Sequence, residues 1–318
     1  MNTLAVVLER PEHLDLRRLE LTPPAAGDIV VDIAWSGIST GTEKLLWTGR
    51  MPQFPGMGYP LVPGYESVGR IVEAGPASGR SVGEQVFVPG ARCFGEVRGL
   101  FGGAASTLVV DANRVVPIAS SMGEQGALLA LAATAYHAVA GERRHGAPVV
   151  APDLIVGHGV LGRLLARMTI AAGFAPPTVW ELNKVRQQGA AGYAVVHPDD
   201  DPRRDYNAIY DVSGDAAILD SLIARLAPGG EVVLAGFYSE RLSFAFAPVF
   251  MREARVRAAA EWQKADLLAV KQLVEDGRVS LDDLVTHREQ AENAARAYPV
   301  AFNDATCLKM ILDWRACA

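Results

Sequence analysis

The chain has 318 residues, 50% hydrophobic and 21% charged, enough to bury about two domains' worth of core and too apolar for a disordered chain. Thirty Lys and Arg against 36 Asp and Glu leave a formal charge of −6, so no general basic field exists to hold a phosphate backbone or an anionic membrane, and nucleic acid is not expected as a partner. The 31 glycines and 19 prolines are scattered without period, which excludes collagen-like and low-complexity chains and calls for many tight connections between short elements.

The segment from Met1 to Glu9 has no basic flank and no cleavage-like site, and reads as a strand, which predicts a chain kept in the cytoplasm. Further short runs rich in β-branched residues follow: Leu4–Leu8, Ile29–Ala34, Ser67–Glu73, Val86–Val88 and Thr107–Val110, broken by Pro23-Pro24, Pro63-Gly64, Gly75-Pro76 and Pro89-Gly90. That punctuation predicts a barrel or sandwich. The uncharged, alanine-rich stretch Ala127–Ala140 is shorter than the roughly 20 apolar residues a bilayer requires and predicts a buried helix. No transmembrane segment is expected. Cys93, Cys307 and Cys317 are too few and too scattered for a disulfide framework or a thiolate metal site.

From about residue 150 the rhythm becomes apolar run, glycine turn, helix-period segment, apolar run, which specifies parallel strands joined by crossover helices. Strands are predicted at Leu154–Val156, Thr178–Glu181, Tyr193–Val196, Ala208–Asp211, Glu231–Ala235 and Val256–Ala260. Leu161, Leu164, Leu165 and Met168 make one helical stripe that stops near Gly173, and Leu219, Leu222, Ile223 and Leu226 make another. Helix-like Ala265–Glu275 leads to a tail with the strand-like Leu308–Leu312.

Gly157-His158-Gly159-Val160-Leu161-Gly162 joins the first of these strands to the first helix. In that context Gly157 permits the tight turn, Gly159 lets the backbone approach a pyrophosphate and Gly162 allows close helix–strand packing, while the amides of Val160 and Leu161 open the helix. His158 fills a variable position and is expected to face solvent. Glu181, 19 residues beyond Gly162, ends the second predicted strand. A carboxylate there accepts hydrogen bonds from ribose hydroxyls and repels a 2′-phosphate, so NAD is the expected cofactor. Arg186 is the complication: it either serves a phosphate or is a solvated helix residue.

A β-rich domain before a dinucleotide fold, with a C-terminal return, resembles the medium-chain dehydrogenase/reductase superfamily over nearly the whole chain. The resemblance implies an α/β protein: a GroES-like β-barrel catalytic domain at 1–126, a Rossmann doubly wound parallel sheet at 127–262, and a return to the catalytic domain over 263–318. Ser36-Gly37-Ile38-Ser39-Thr40-Gly41-Thr42-Glu43 looks like the segment carrying the first catalytic-zinc cysteine of zinc-dependent members, and Pro63-Gly64-Tyr65-Glu66 looks like their Gly-His-Glu. Here Ser39 replaces the cysteine, Tyr65 the histidine, and the third ligand position falls near Ala130. A lone Glu66 with hydroxyls does not make a zinc site, so no metal is expected. At finer grain, Ser36–Gly49, Met51–Pro60 and Gly99–Ala105 resemble the bacteriochlorophyllide a dehydrogenase family of bacteriochlorophyll biosynthesis. That resemblance implies NAD-dependent oxidation of the 3-(1-hydroxyethyl) group of a chlorin or bacteriochlorin to 3-acetyl. The superfamily resemblance also implies association of copies along the edge of the dinucleotide-binding sheet, with Val256–Ala260 as the candidate segment.

Without a metal, a side chain must take the alcohol proton, directly or through water. The candidates by position are Ser39, Thr42, Tyr65, Glu66 and His137: Tyr65 and Ser39 to hydrogen-bond the substrate oxygen, Glu66 or His137 to pass the proton to solvent. Each has a bland counterpart as a turn-satisfying hydroxyl, a packed aromatic, a structural carboxylate or a core histidine. A flat, apolar tetrapyrrole with a propionate needs a wide cleft with aromatic or methionine walls. Phe54, Met57 and Tyr59 are candidates for the wall, and Arg50, Arg92 and Arg98 for the propionate. Two other functions fit the same pattern: a zinc-free quinone or enone reductase using NADPH, and a non-catalytic NAD-binding redox-sensing or assembly module.

Overall fold

A computed structural model describes residues 1–139, 150–259 and 261–317. Ala140 and Ala260, the ends of two predicted elements, lie outside these residues. The chain forms two compact units, one of Met1–Ala130 with Asp282–Ala318, the other of Leu131–Leu281.

In the first unit the long strand Asp28–Ile38 is the axis of a seven-stranded sheet. It pairs antiparallel with Ser67–Ala74 on one side and with Thr107–Asp111 and Lys309–Asp313 on the other. The tail thus joins the sheet, with Met310 opposite Ile38. Gln85–Val88, Val116–Pro117 and Val285–Gln290 complete it. A second sheet runs in the order His13–Glu20, Asn2–Arg10, Leu61–Val62, Arg98–Gly99. The central strands are buried on both faces: Ala5, Val6, Val7 and Leu8 are fully buried, as are Val86, Phe87 and Val88, so these segments read as continuous apolar runs rather than as alternation.

The second unit holds six parallel strands in the order Ala194–Val196, Thr178–Trp180, Leu154–Val156, Tyr206–Asp211, Leu226–Leu234, Arg255–Ala258. The strand order reverses between Leu154–Val156 and Tyr206–Asp211, where a doubly wound sheet opens its ligand crevice. Helix Val160–Ala171 buries Val160, Leu164, Leu165 and Met168, and the chain leaves it through Gly173 at φ +83. Leu226 is a correction. The helix ends at Ile223, and Leu226 pairs with Tyr206 as the start of a strand, because Pro228 two residues on disfavours helical backbone before it. Helices Phe246–Arg252 and Ala294–Asn303 and strands His13–Glu20 and Val285–Gln290 were not predicted from the sequence. Among the described residues no helix is long and apolar enough to cross a membrane.

Candidate active site

In the dinucleotide motif, Gly157 has φ +104, a conformation that excludes side chains, and a Cβ on Gly162 would lie 1.9 Å from the Gly157 carbonyl oxygen. A Cβ on Gly159 would meet nothing within 4 Å, so that glycine faces open space where a bulky anion could approach. Gly159 is also the N-cap of helix Val160–Ala171 and no side chain caps it, leaving the first-turn amides for a ligand. These features fit a dinucleotide pyrophosphate.

Glu181 follows strand Thr178–Trp180 and folds back on the turn, accepting hydrogen bonds from the amides of His158 at 3.0 Å and Asn183 at 2.8 Å. An ionised carboxylate has about four acceptor sites, so ribose hydroxyls can still be bound. His158 is not solvent-facing: it is fully buried, its Nδ1 2.6 Å from the Arg186 carbonyl oxygen and its Nε2 2.8 Å from the Tyr193 hydroxyl. Burial lowers its pKa to about 4, so it is neutral at physiological pH. Arg186 lies in a turn rather than a helix, since among the described residues no helix links Thr178–Trp180 to Ala194–Val196.

The first unit gathers the hydroxyls. Ser39 follows the end of strand Asp28–Ile38, Thr42 begins helix Thr42–Trp47, and Tyr65 lies between strands Leu61–Val62 and Ser67–Ala74. Tyr65 Oη shares a hydrogen bond of 2.7 Å with Ser39 Oγ and a longer one of 3.5 Å with Thr42 Oγ1. Burial, with the nearby Glu66 charge, holds the Tyr65 phenol well above its ordinary range, so it is a neutral hydroxyl at physiological pH.

Beneath this cluster the candidate Glu66 and its neighbour Glu43 meet two partners that the sequence did not point to, Lys309 and Tyr298. Glu66 is fully buried and turned away from solvent, its Oε2 2.6 Å from Lys309 Nζ, which also donates to the Ile38 carbonyl oxygen at 3.1 Å. Its Oε1 is buried and, among the described residues, has no hydrogen-bond partner. Glu43, also fully buried, accepts from the Ser39 amide at 2.9 Å and from the Tyr298 hydroxyl at 2.8 Å. Burial raises the Glu43 carboxyl to about 7, and the Glu66 charge adds to the rise. Because folded Glu43 holds its proton after the unfolded residue has lost it near 4.5, its contribution to stability is complete below 4.5 and is lost as pH rises to about 7. That loss is about 3 kcal/mol. Glu43→Gln should flatten it; an unchanged difference in urea-unfolding free energy between acidic and neutral pH would refute the assignment.

His137, on helix Leu129–Val139 of the second unit, has Nδ1 2.8 Å from Asp266 Oδ2, which also accepts from the Gln263 amide. In the first unit Phe54, Met57 and Tyr59 are half-buried against the core, and Tyr59 Oη donates to the Leu46 carbonyl. Arg98 joins that segment by donating to the Tyr59 carbonyl at 3.2 Å. Arg50 is exposed, and Arg92 lines a separate pocket with Asp28, Asp111 and Arg114. Phe101, unflagged by the sequence reading, meets the Tyr65 ring edge-on at 5.2 Å between centroids. Among the described residues no three His, Cys, Asp or Glu side chains converge to hold a metal, and the hydroxyls of Ser39 and Tyr65 do not fit a zinc site.

Residues 25–120 match the alcohol dehydrogenase GroES-like domain, which together with the parallel sheet and its glycine turn defines a medium-chain dehydrogenase/reductase. The chain is 58% identical to the 2-desacetyl-2-hydroxyethyl bacteriochlorophyllide A dehydrogenase of Cereibacter sphaeroides, over 100% of both chains. It is also 58% identical to the protein of the same name from Rhodobacter capsulatus, over 99% of both. A short chain alcohol dehydrogenase from Escherichia coli complexed with NADH shares the fold at TM-score 0.80 and 22% identity, over 98% of this chain and 99% of that one. The chain belongs to the family of 2-desacetyl-2-hydroxyethyl bacteriochlorophyllide A dehydrogenases. It is an oxidoreductase that uses a nicotinamide cofactor.

Proposed function

We propose that this chain oxidises the hydroxyethyl group of a bacteriochlorophyllide to acetyl, with NAD as hydride acceptor and hydroxyl groups in place of a metal. The observation that carries the reading is the Ser39–Tyr65–Thr42 hydroxyl cluster, in which Ser39 and Tyr65 are the residues that the family resemblance sets in place of a cysteine and a histidine zinc ligand.

The reaction takes a hydride from the carbinol carbon and a proton from its oxygen, leaving a carbonyl. Bound nicotinamide supplies the hydride acceptor. Ser39 and Tyr65 share one hydrogen bond, which uses one of their two O–H groups and leaves the other to bond the substrate oxygen. Neither takes the proton for good, since Tyr65 stays neutral. Of the two acceptors named from sequence, Glu66 is sealed from solvent against Lys309, whereas the His137 side chain keeps 14% of its surface exposed. In the second unit the Asp266 carboxylate fixes Nδ1 of His137 as the protonated nitrogen, which makes Nε2 its accepting nitrogen. The carbinol carbon adjoins an extended π-system that spreads developing positive charge, which lessens the need for a metal-stabilised alkoxide. Phe101, Phe54 and Met57 offer apolar surface to the macrocycle, and Arg98 is the cation beside them for its propionate.

In single-turnover assays of NADH formation, Tyr65→Phe and Ser39→Ala should each slow hydride transfer about 100-fold, while a chelator leaves the wild-type rate unchanged. Unaltered rates in both variants, or loss of activity with the chelator, would overturn the mechanism. Glu181 supports NAD over NADP, and Glu181→Gln should narrow that preference about tenfold, read as the ratio of the two dissociation constants. The same ratio in variant and wild type would remove Glu181 from that role.

A further inference from the structure

The connection Leu182–Tyr193 departs from the fold's own pattern. Where a crossover helix would ordinarily link the second and third parallel strands, the described chain makes turns with most side chains exposed. Something other than helical hydrogen bonding must hold it. Arg163, the first residue after the glycine motif, is 4% exposed, and its guanidinium points under this loop. Its Nε donates to the His158 carbonyl at 3.1 Å, its Nη1 to Gly189 at 3.0 Å, and its Nη2 to Arg186 at 3.1 Å and Gln188 at 2.6 Å. Four of its five N–H groups are thereby spent on backbone oxygens, one in the turn and three in the loop. Gly189 is required beside it, since a Cβ there would lie 2.6 Å from Nη1.

His158 ties the same two segments together. The Arg186 carbonyl can only accept, so Nδ1 carries the proton and Nε2 accepts from the Tyr193 hydroxyl. The His158 amide donates to Glu181, the carboxylate expected at the ribose. Turn, acid and loop form one polar cluster built on two buried side chains.

We propose that Arg163 and His158 are positioning residues for the adenosine half of the cofactor: they clamp loop 182–193 to the glycine turn and so preset Glu181 and the loop wall. The inference rests on the dinucleotide reading and extends it to two residues whose side chains are engaged by the turn and the loop. Arg163 acts by geometry more than by charge, because a lysine would keep the charge but could not reach four carbonyls.

Hydrogen exchange of the full chain without ligand, and calorimetric titration with NAD, ADP-ribose and nicotinamide mononucleotide, test this. In Arg163→Met, amide protection over 183–193 should fall, and the dissociation constants for NAD and ADP-ribose should rise by the same factor of about ten. Affinity for the mononucleotide, which lacks adenosine, should not change. Arg163→Lys should behave like Arg163→Met. Tyr193→Phe, which removes a single hydrogen bond, should shift both constants in the same direction by about threefold and provides the test if the arginine variants do not fold. Unchanged loop protection, rescue by lysine, or equal weakening of the mononucleotide would overturn the clamp. Failure of the wild-type chain to bind NAD or ADP-ribose would instead overturn the cofactor reading beneath it.

Discussion

Lys309→Met should destabilise the chain by about 3–5 kcal/mol, the cost of leaving a buried charge without its partner. Lys309 and Glu66 are 1% and 0% exposed, and the ammonium is 2.6 Å from the carboxylate that it neutralises. Burial already pushes the Glu66 pKa up, and the Lys309 charge is the main influence pulling it back. Once the lysine is gone, Glu66 must either take a proton or stay charged beside Gly37, whose missing side chain provides the space for Oε2: a Cβ there would lie 2.2 Å away. Pairing Lys309→Met with Glu66→Met removes both charges and should restore most of the lost stability, because well-packed apolar residues commonly replace a buried ion pair at little cost. Urea-unfolding free energies of the four chains in a double-mutant cycle give the coupling. If the double variant is as unstable as Lys309→Met, the ion pair is not the source of the loss.

Much of the fold was legible because its local signals agree. Leu154–Val156, the glycine turn and the stripe Leu161, Leu164, Leu165, Met168 each point to strand, turn and helix, and the structure has all three in that order. What failed to show had competing signals. Strand His13–Glu20 alternates Leu14 and Leu16 with charges but breaks phase before Leu19, and five of its eight residues are exposed. Helix Ala294–Asn303 contains Pro299, a residue that argues against a helix when the sequence is read locally.

In the site, the hydroxyl cluster was legible because Ser39, Thr42 and Tyr65 stand at motif positions. Lys309 was not, since in sequence it is one lysine in an apolar strand and its partner is 243 residues away. Glu43 lay within a quoted motif, but only its lack of exposure and its contact with Tyr298, 255 residues on, separate it from a solvated helix residue. His158 was misread for a related reason: position two of a glycine turn ordinarily faces outward, and its burial depends on Tyr193 and on a loop with no helical signal.

Within the glycine motif, Gly162 and Gly159 should fail in different ways when each is replaced by Ala. At Gly162 the new Cβ would lie 1.9 Å from the Gly157 carbonyl oxygen, a backbone atom that no rotamer change can move aside. The turn must open, so Gly162→Ala should lose about 1–3 kcal/mol of stability from overpacking. Its affinity for NAD should fall about 100-fold as the first-turn amides shift off the pyrophosphate. At Gly159 the backbone has φ −73 and nothing lies within 4 Å of an added Cβ, so Gly159→Ala should unfold at the wild-type temperature. Its methyl group would instead stand in the open space assigned to the ligand, so it should still bind NAD about tenfold more weakly. Melting curves with and without NAD separate the two: Gly162→Ala lowers the midpoint of the free chain, whereas Gly159→Ala lowers only the rise that NAD produces. If Gly159→Ala showed the full wild-type rise, the space beside that glycine would not be where the dinucleotide binds.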